Sequence, residues 1–247
     1  MEWRCSSSSQ KHGRGVAAVV GVGSGLGFSI ARRFAREGYS VVVLARSYEK
    51  LARLVVQLMT LERTAHVSAI SIDCSDPQSV HNAFESVRSI GVVEVLVYNV
   101  KKQLSYLPKF LDIDTESFQE SLMVPALGAF YCARQVLPGM LQRRKGTILF
   151  TGTAASVKGD AGEAESACGK FALRALAQCL GKEFQPKGIH VAHIILDGSV
   201  ECGMSSCDMG QAYLDPDGVA EAYWQIHLQH PSAWTQELDL KSFISAR

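Results

Sequence analysis

Ser166 and Lys170 stand four residues apart in "AESACGK", a spacing that on a helix puts a hydroxyl and an amine one turn apart on one face. A lysine can activate a serine as a nucleophile, and a polar pair can equally be an ordinary helix surface. Glu163 and Glu165 precede the pair and suit the positive end of such a helix. A second group of residues able to do chemistry is "GVGSGLG", Gly21 to Gly27. Gly21, Gly25 and Gly27 permit a tight turn and a close backbone approach, with Ser24 and Leu26 between them. A helix starting there offers free N–H groups and a positive dipole end to a diphosphate. His81, His190, His193 and His227 have no partners at metal-ligand spacing, so no metal site is expected and the histidines read as structural.

The elements that must position these groups follow from the hydrophobic pattern. Short β-branched runs at Val16–Val20, Ser40–Leu44, Val67–Ile72, Val93–Val97, Thr147–Phe150 and His190–Leu196 predict strands. Amphipathic periods at Leu26–Glu37, Ser47–Leu61, Asp76–Ser89, Thr115–Gln142 and Glu163–Phe184 predict helices between them. Near-continuous apolar strands alternating with helices imply a doubly wound parallel sheet covered on both faces, in one α/β domain. A last strand near Leu238–Leu240 would close one edge. The glycine turn then lies between the first strand and the first helix, and the Ser166/Lys170 pair opens the last long helix.

Composition narrows the function classes. The 247 residues are 47% hydrophobic and 20% charged, with a net charge of +1, which supports a sizeable core and argues against a nucleic-acid footprint. No apolar run is long enough to span a bilayer, so no membrane association is expected. Seven cysteines, an odd number without paired spacing, suggest reduced thiols in an intracellular protein. The polar, Ser-rich start has no apolar core of a secretory signal, so residues 1–14 read as a flexible tail, residues 15–247 as the folded domain, and the location as cytoplasmic.

Read as G-x-x-x-G-x-G after the first strand, the glycine turn resembles the opening of the short-chain dehydrogenase/reductase family, and the resemblance runs from Val16 to about Leu240. It implies a Rossmann-type domain that binds a nicotinamide cofactor and moves a hydride. The family's acidic ribose-binding position is Ala45 here, followed by Arg46, whose guanidinium suits a 2′-phosphate; NADP(H) is expected over NAD(H). Asp73 matches the adenine-binding aspartate, although an aspartate ending a strand also serves turns. The family's Asn-Asn-Ala-Gly is Tyr98, Asn99, Val100, Lys101, which keeps the second asparagine, and Lys101 or Lys102 can reach a phosphate or an acidic substrate. Pro125 stands where an active-site asparagine belongs, and a proline there should kink the helix. The substrate-binding serine falls at Thr153, and the usual Pro-Gly after the sixth strand is Asp197-Gly198. The nicotinamide-binding threonine falls at Cys202. Ser166 stands in place of the catalytic tyrosine, four before the family's Lys170, which also holds the nicotinamide ribose.

An aliphatic hydroxyl is several pKa units less acidic than a phenol and too short to reach the same carbonyl, so Ser166 does not inherit that role unaided. The expected function is therefore an NADP(H)-dependent oxidoreductase acting on a small, apolar carbonyl or alkene. Its proton donor would be Thr153 through water, Lys170, Lys101 or Tyr106. Alternatives are a catalytically silent NADP(H)-binding sensor or partner protein, a non-redox cyclase or isomerase, and a Ser166–Lys170 hydrolase. The segment 199–218 corresponds to the family's substrate lid. The resemblance also implies a homodimer or homotetramer.

Overall fold

The computed structural model describes residues 14–100, 109–200 and 213–242. In chain order the elements are β1 (Val16–Val20), α1 (Leu26–Arg36), β2 (Ser40–Ala45), α2 (Tyr48–Leu61), β3 (Val67–Ser71), α3 (Pro77–Ile90) and β4 (Val93–Tyr98). There follow α4 (Thr115–Leu122), a π-helical turn (Met123–Leu127), α5 (Gly128–Arg143), β5 (Gly146–Thr153), α6 (Ala164–Phe184) and β6 (Ile189–Asp197). The chain closes with β7 (Ser199–Val200), β8 (Tyr213–Leu214), α7 (Pro216–Leu228) and β9 (Glu237–Lys241).

Seven strands form one sheet in the order β3-β2-β1-β4-β5-β6-β9, every pair parallel. The order reverses at β1, so the carboxyl ends of β1 and β4 diverge and leave a crevice above them, where doubly wound sheets bind ligands. Strand side chains alternate between two cores. One holds Val19 and Val43 against Phe34, Leu51 and Trp224; the other holds Val20 and Leu44 against Phe84, Met140 and Leu173. Burial on both faces is why these strands read as unbroken apolar runs.

Two elements differ from the sequence expectation. The region read as one helix over Thr115–Gln142 is two α-helices joined by the π-helical turn around Pro125. Proline has no N–H to give the Ser121 carbonyl, and the chain meets that loss by widening one turn rather than by a sharp kink. The helix α7, which carries His227, lies outside the predicted amphipathic periods, although its start is signalled by Asp215, whose side chain caps Gly218 N–H, and by Pro216 at the first position. Trp224 on α7 is buried, edge-on to Phe34 and Tyr39, so it packs the core. Trp234 stacks on His190 with ring centroids 4.8 Å apart.

Candidate functional site

The turn after β1 takes its shape from its glycines. Gly21 has φ +85°, and a Cβ there would lie 2.5 Å from the Asn99 carbonyl oxygen, so only glycine fits both the conformation and the space. Gly27 is held to glycine by Val22, whose Cα would lie 2.8 Å from an added Cβ. At Gly23 and Gly25 an added Cβ would meet nothing within 4 Å: among the described residues nothing demands glycine there, and the space opens on the crevice. Gly25 is the N-cap of α1, with no side-chain cap and no acidic residue in the first turn. The helix therefore starts with unneutralised amides at Leu26 and Gly27, the chemistry of an anion cradle. Ser24 is exposed on the same turn. Asn99 ends β4 beside it: its N–H donates to Val20 O at 2.8 Å and its side-chain amide to Gly21 O at 3.2 Å.

At the neighbouring strand ends, Ala45 is half-buried and Arg46 is exposed. Asp73 faces Arg46, but its carboxylate accepts from both the backbone and the hydroxyl of Ser75, at 2.9 and 2.6 Å. Those hydrogen bonds, and then the Arg46 charge, hold its pKa below the usual carboxylate value. The turn role foreseen for Asp73 is thus present in the structure.

At the other side of the crevice, Thr153 ends β5 and Lys170 lies on α6, 5% exposed. Its ammonium donates to the Thr151 carbonyl at 2.9 Å and to the Val100 carbonyl at 3.4 Å. A buried cation survives only with such partners, and these two tie it to the ends of β4 and β5. Ser166, one turn earlier, is half-buried at the start of α6. Gly198, at φ +150°, follows β6. Lys101, Lys102, Tyr106 and Cys202 lie outside the described residues, as do residues 1–13 of the tail and most of the lid segment.

Sequence reasoning missed the tight seam between α4 and α6. A Cβ at Gly169 would lie 2.0 Å from the Ser121 carbonyl oxygen and 3.0 Å from Pro125 Cγ. The Ser121 carbonyl is the one that Pro125 deprives of its usual donor, and it rests against the bare Cα of Gly169. On the sheet side, the Tyr98 hydroxyl donates to the Val124 carbonyl within the π-helical turn. Tyr98 is fully buried, which pushes its phenol well above its ordinary pKa and keeps it a neutral donor. Gly128 leaves room for it, since a Cβ there would lie 2.4 Å from the Tyr98 hydroxyl. Glu165, 3% exposed, accepts a hydrogen bond from Ser117 of α4; the helix-start carboxylate is buried in the seam. The signal for all this was two departures in one sequence, a tyrosine at 98 and a proline at 125.

A family model for short chain dehydrogenases matches residues 15–211. The chain belongs to the short chain dehydrogenase family. It is 31% identical over 177 residues to bovine (Bos taurus) 3-ketodihydrosphingosine reductase, covering 70% of this chain and 53% of that protein. The chain thus spans about half the length of such relatives. Among solved structures it is similar to a short-chain dehydrogenase from Rhodopseudomonas palustris, with TM-score 0.79 and 33% identity over 91% of this chain and 97% of that one. An alcohol dehydrogenase from the archaeon Thermococcus sibiricus, complexed with 5-hydroxy-NADP, has TM-score 0.81 and 26% identity, over 93% and 97% of the chains. Among the described residues no group of three metal-ligating side chains gathers, and no helix is long and apolar enough to cross a membrane.

Proposed function

We propose that this chain is an oxidoreductase that uses NADP(H) to reduce the carbonyl of a small, apolar substrate, with a proton donor other than tyrosine. The observation that carries the reading is one crevice holding both an anion-ready helix start and a buried, strand-anchored lysine. Gly21, Ser24, Gly25, Leu26 and Gly27 would cradle the diphosphate, with the amides at the start of α1 facing it. Arg46, exposed beside a side chain that offers no acceptor, supports a 2′-phosphate and therefore NADP(H). Asp73, Asn99 and Gly198 would complete the cofactor contacts, and Lys170 would reach the nicotinamide ribose. When bound, the cofactor supplies the hydride.

The protein's own share is orientation and a proton. The Thr153 hydroxyl would donate to the substrate carbonyl. Lys170, a cation held in a dry site, stabilises the charge that develops on that oxygen. Ser166 stands where the family's pattern has tyrosine, and its short hydroxyl would act through water. Reduction of a ketone fits the bovine relative, a 3-ketodihydrosphingosine reductase. A homodimer or homotetramer is part of the proposal, supported by the exposed Leu127 and Phe130 of the α5 region and Phe171 of α6.

The test is titration with NADPH and NADH by fluorescence, then NADPH consumption over a panel of ketones. Tighter binding of NADPH and turnover of at least one ketone are expected. Failure to bind at millimolar cofactor overturns the reading. Binding without turnover, with activity gained in Ser166→Tyr, would instead mark a silent cofactor-binding protein with an intact pocket.

A further inference from the structure

Beneath the strand end that carries Thr153 lies a histidine for which the proposed reaction has so far no use. His193 sits in β6, 1% exposed, on the sheet face that Leu173 and Ala177 of α6 cover. Its Nδ1 lies 3.4 Å from Oε2 of Glu237 on β9, and neither ring nitrogen completes a hydrogen bond of good geometry. The Glu237 carboxylate is gripped on both oxygens by the Arg174 guanidinium, at 2.7 and 2.8 Å. Nε2 points the other way, towards the end of β5. A Cβ at Gly152 would sit 2.2 Å from His193 Nε2 and 2.7 Å from Ser156 Oγ, so the imidazole and the hydroxyl converge on the space that only a glycine leaves open.

Ser156 is fully buried and locked to Thr153 in both directions. Its Oγ accepts from the Thr153 N–H at 3.1 Å, and its own N–H is donated to the Thr153 side chain. The bonds along this line are compatible with one continuous relay of protons. A carboxylate beside Nδ1 favours the tautomer with the proton on Nδ1, which leaves a lone pair on Nε2. The Ser156 oxygen already accepts from the Thr153 N–H, which leaves its proton available to that lone pair. The Thr153 oxygen already accepts from the Ser156 N–H, which leaves its proton available to the crevice. A leucine would fill the same volume without two orphaned nitrogens, and buried polar groups left unsatisfied call for a functional explanation. Burial holds the imidazole neutral, with its pKa lowered to about 4; Glu237 on β9 pulls it up, while Lys170 and Arg174 on α6 push it down.

We propose that His193, oriented by Glu237, is a positioning residue that fixes Ser156 and through it presents the Thr153 hydroxyl as a donor to the substrate carbonyl. The proposal rests on the reductase reading for its purpose, and its geometry is testable without it. Imidazole nitrogen NMR at pH 7 should find His193 neutral, protonated on Nδ1, with an Nε2 resonance that moves in Ser156→Ala. In Glu237→Ala, a change at the edge of the sheet, the Nδ1 preference should weaken. An Nε2-protonated ring, or one indifferent to both substitutions, overturns the proposal. In ketone reduction, His193→Leu should lower kcat about tenfold, the loss typical of outer-shell partners. NADPH affinity should stay within about twofold, since the ring touches no proposed cofactor contact. Ser156→Ala should cost the same, and the double variant no more, because residues acting in one line are not additive. Additive losses, or a loss confined to NADPH affinity, overturn it. A wild-type protein that fails to bind NADPH sinks the reductase reading alone, and the NMR arm still decides the orientation. If His193→Leu does not fold, Glu237→Ala carries the kinetic arm: an unchanged kcat there overturns the proposal.

Discussion

The two sides of the crevice are built by opposite means. At the glycine turn, each constraint is met by leaving atoms out: Gly21 makes room for the Asn99 carbonyl, and Gly23 and Gly25 leave open space. At the α4–α6 seam, atoms have been added, and their neighbours answer. Pro125 takes an N–H from the helix, the Tyr98 hydroxyl donates to the Val124 carbonyl in the widened turn, and Gly169 accepts the Ser121 carbonyl against its bare Cα. The first side is left open, as the proposed cofactor site requires. The second is filled by a set of residues that depend on one another, and the proposed chemistry has to work within it.

The sharpest way to break that contrast is to add one methyl group on each side. Gly169→Ala should destabilise the fold by about 3 kcal/mol, since the clash is with backbone that cannot yield, read as a lowered midpoint in thermal or denaturant unfolding. Gly25→Ala, with open space around its Cβ, should cost less than about 1 kcal/mol in stability and be felt in cofactor binding instead. Equal destabilisation of both variants would erase the distinction.

Acid sharpens it further. His193 on β6 and His227, which meets Tyr39 and Thr147, are each held neutral mainly by burial, with pKa lowered to about 4. The unfolded chain binds protons at these sites near pH 6.5. Between pH 6.5 and 4 the unfolded state therefore takes up more protons, so stability falls as pH falls, by on the order of 2 kcal/mol per histidine. Unfolding free energies measured across that window should flatten in His227→Gln, less whatever packing that change costs. An unchanged slope would refute the assignment.

At the exposed edge of the crevice, Arg46→Ala should weaken NADPH binding about tenfold, or about 1.4 kcal/mol, and leave NADH binding nearly unchanged. Parallel titrations measure the difference. The smallest effect is expected for Tyr98→Phe. Loss of the donor to the Val124 carbonyl should cost about 1 kcal/mol in unfolding free energy, and that cost should vanish if position 125 is first made Ala and the turn returns to an α-helix.

The strands were legible because burial on both faces makes each a continuous apolar run; Ser40–Ala45 and Ile189–Asp197 extend the expected limits by only a residue or two, whereas β5 runs on past Phe150 to Thr153. The glycine turn was legible because conformation and closeness leave a mark in residue type. What stayed hidden depends on pairs far apart in the chain. Nothing local to Tyr98 says that it answers Pro125, or that Gly169 accepts the Ser121 carbonyl. Glu165 looked like a helix-start charge and is instead a buried acceptor for Ser117.

The sequence by itself determined the sheet, its helical cover and the place of the crevice, because hydrophobic period and glycine spacing are local properties that backbone physics reads directly. Only the tertiary structure decided that His193, Glu237, Ser156 and Thr153 share one line, and that the proline turn is braced from both sides. Those are meetings between residues tens of positions apart, and they exist only once the parallel strands have stacked in register.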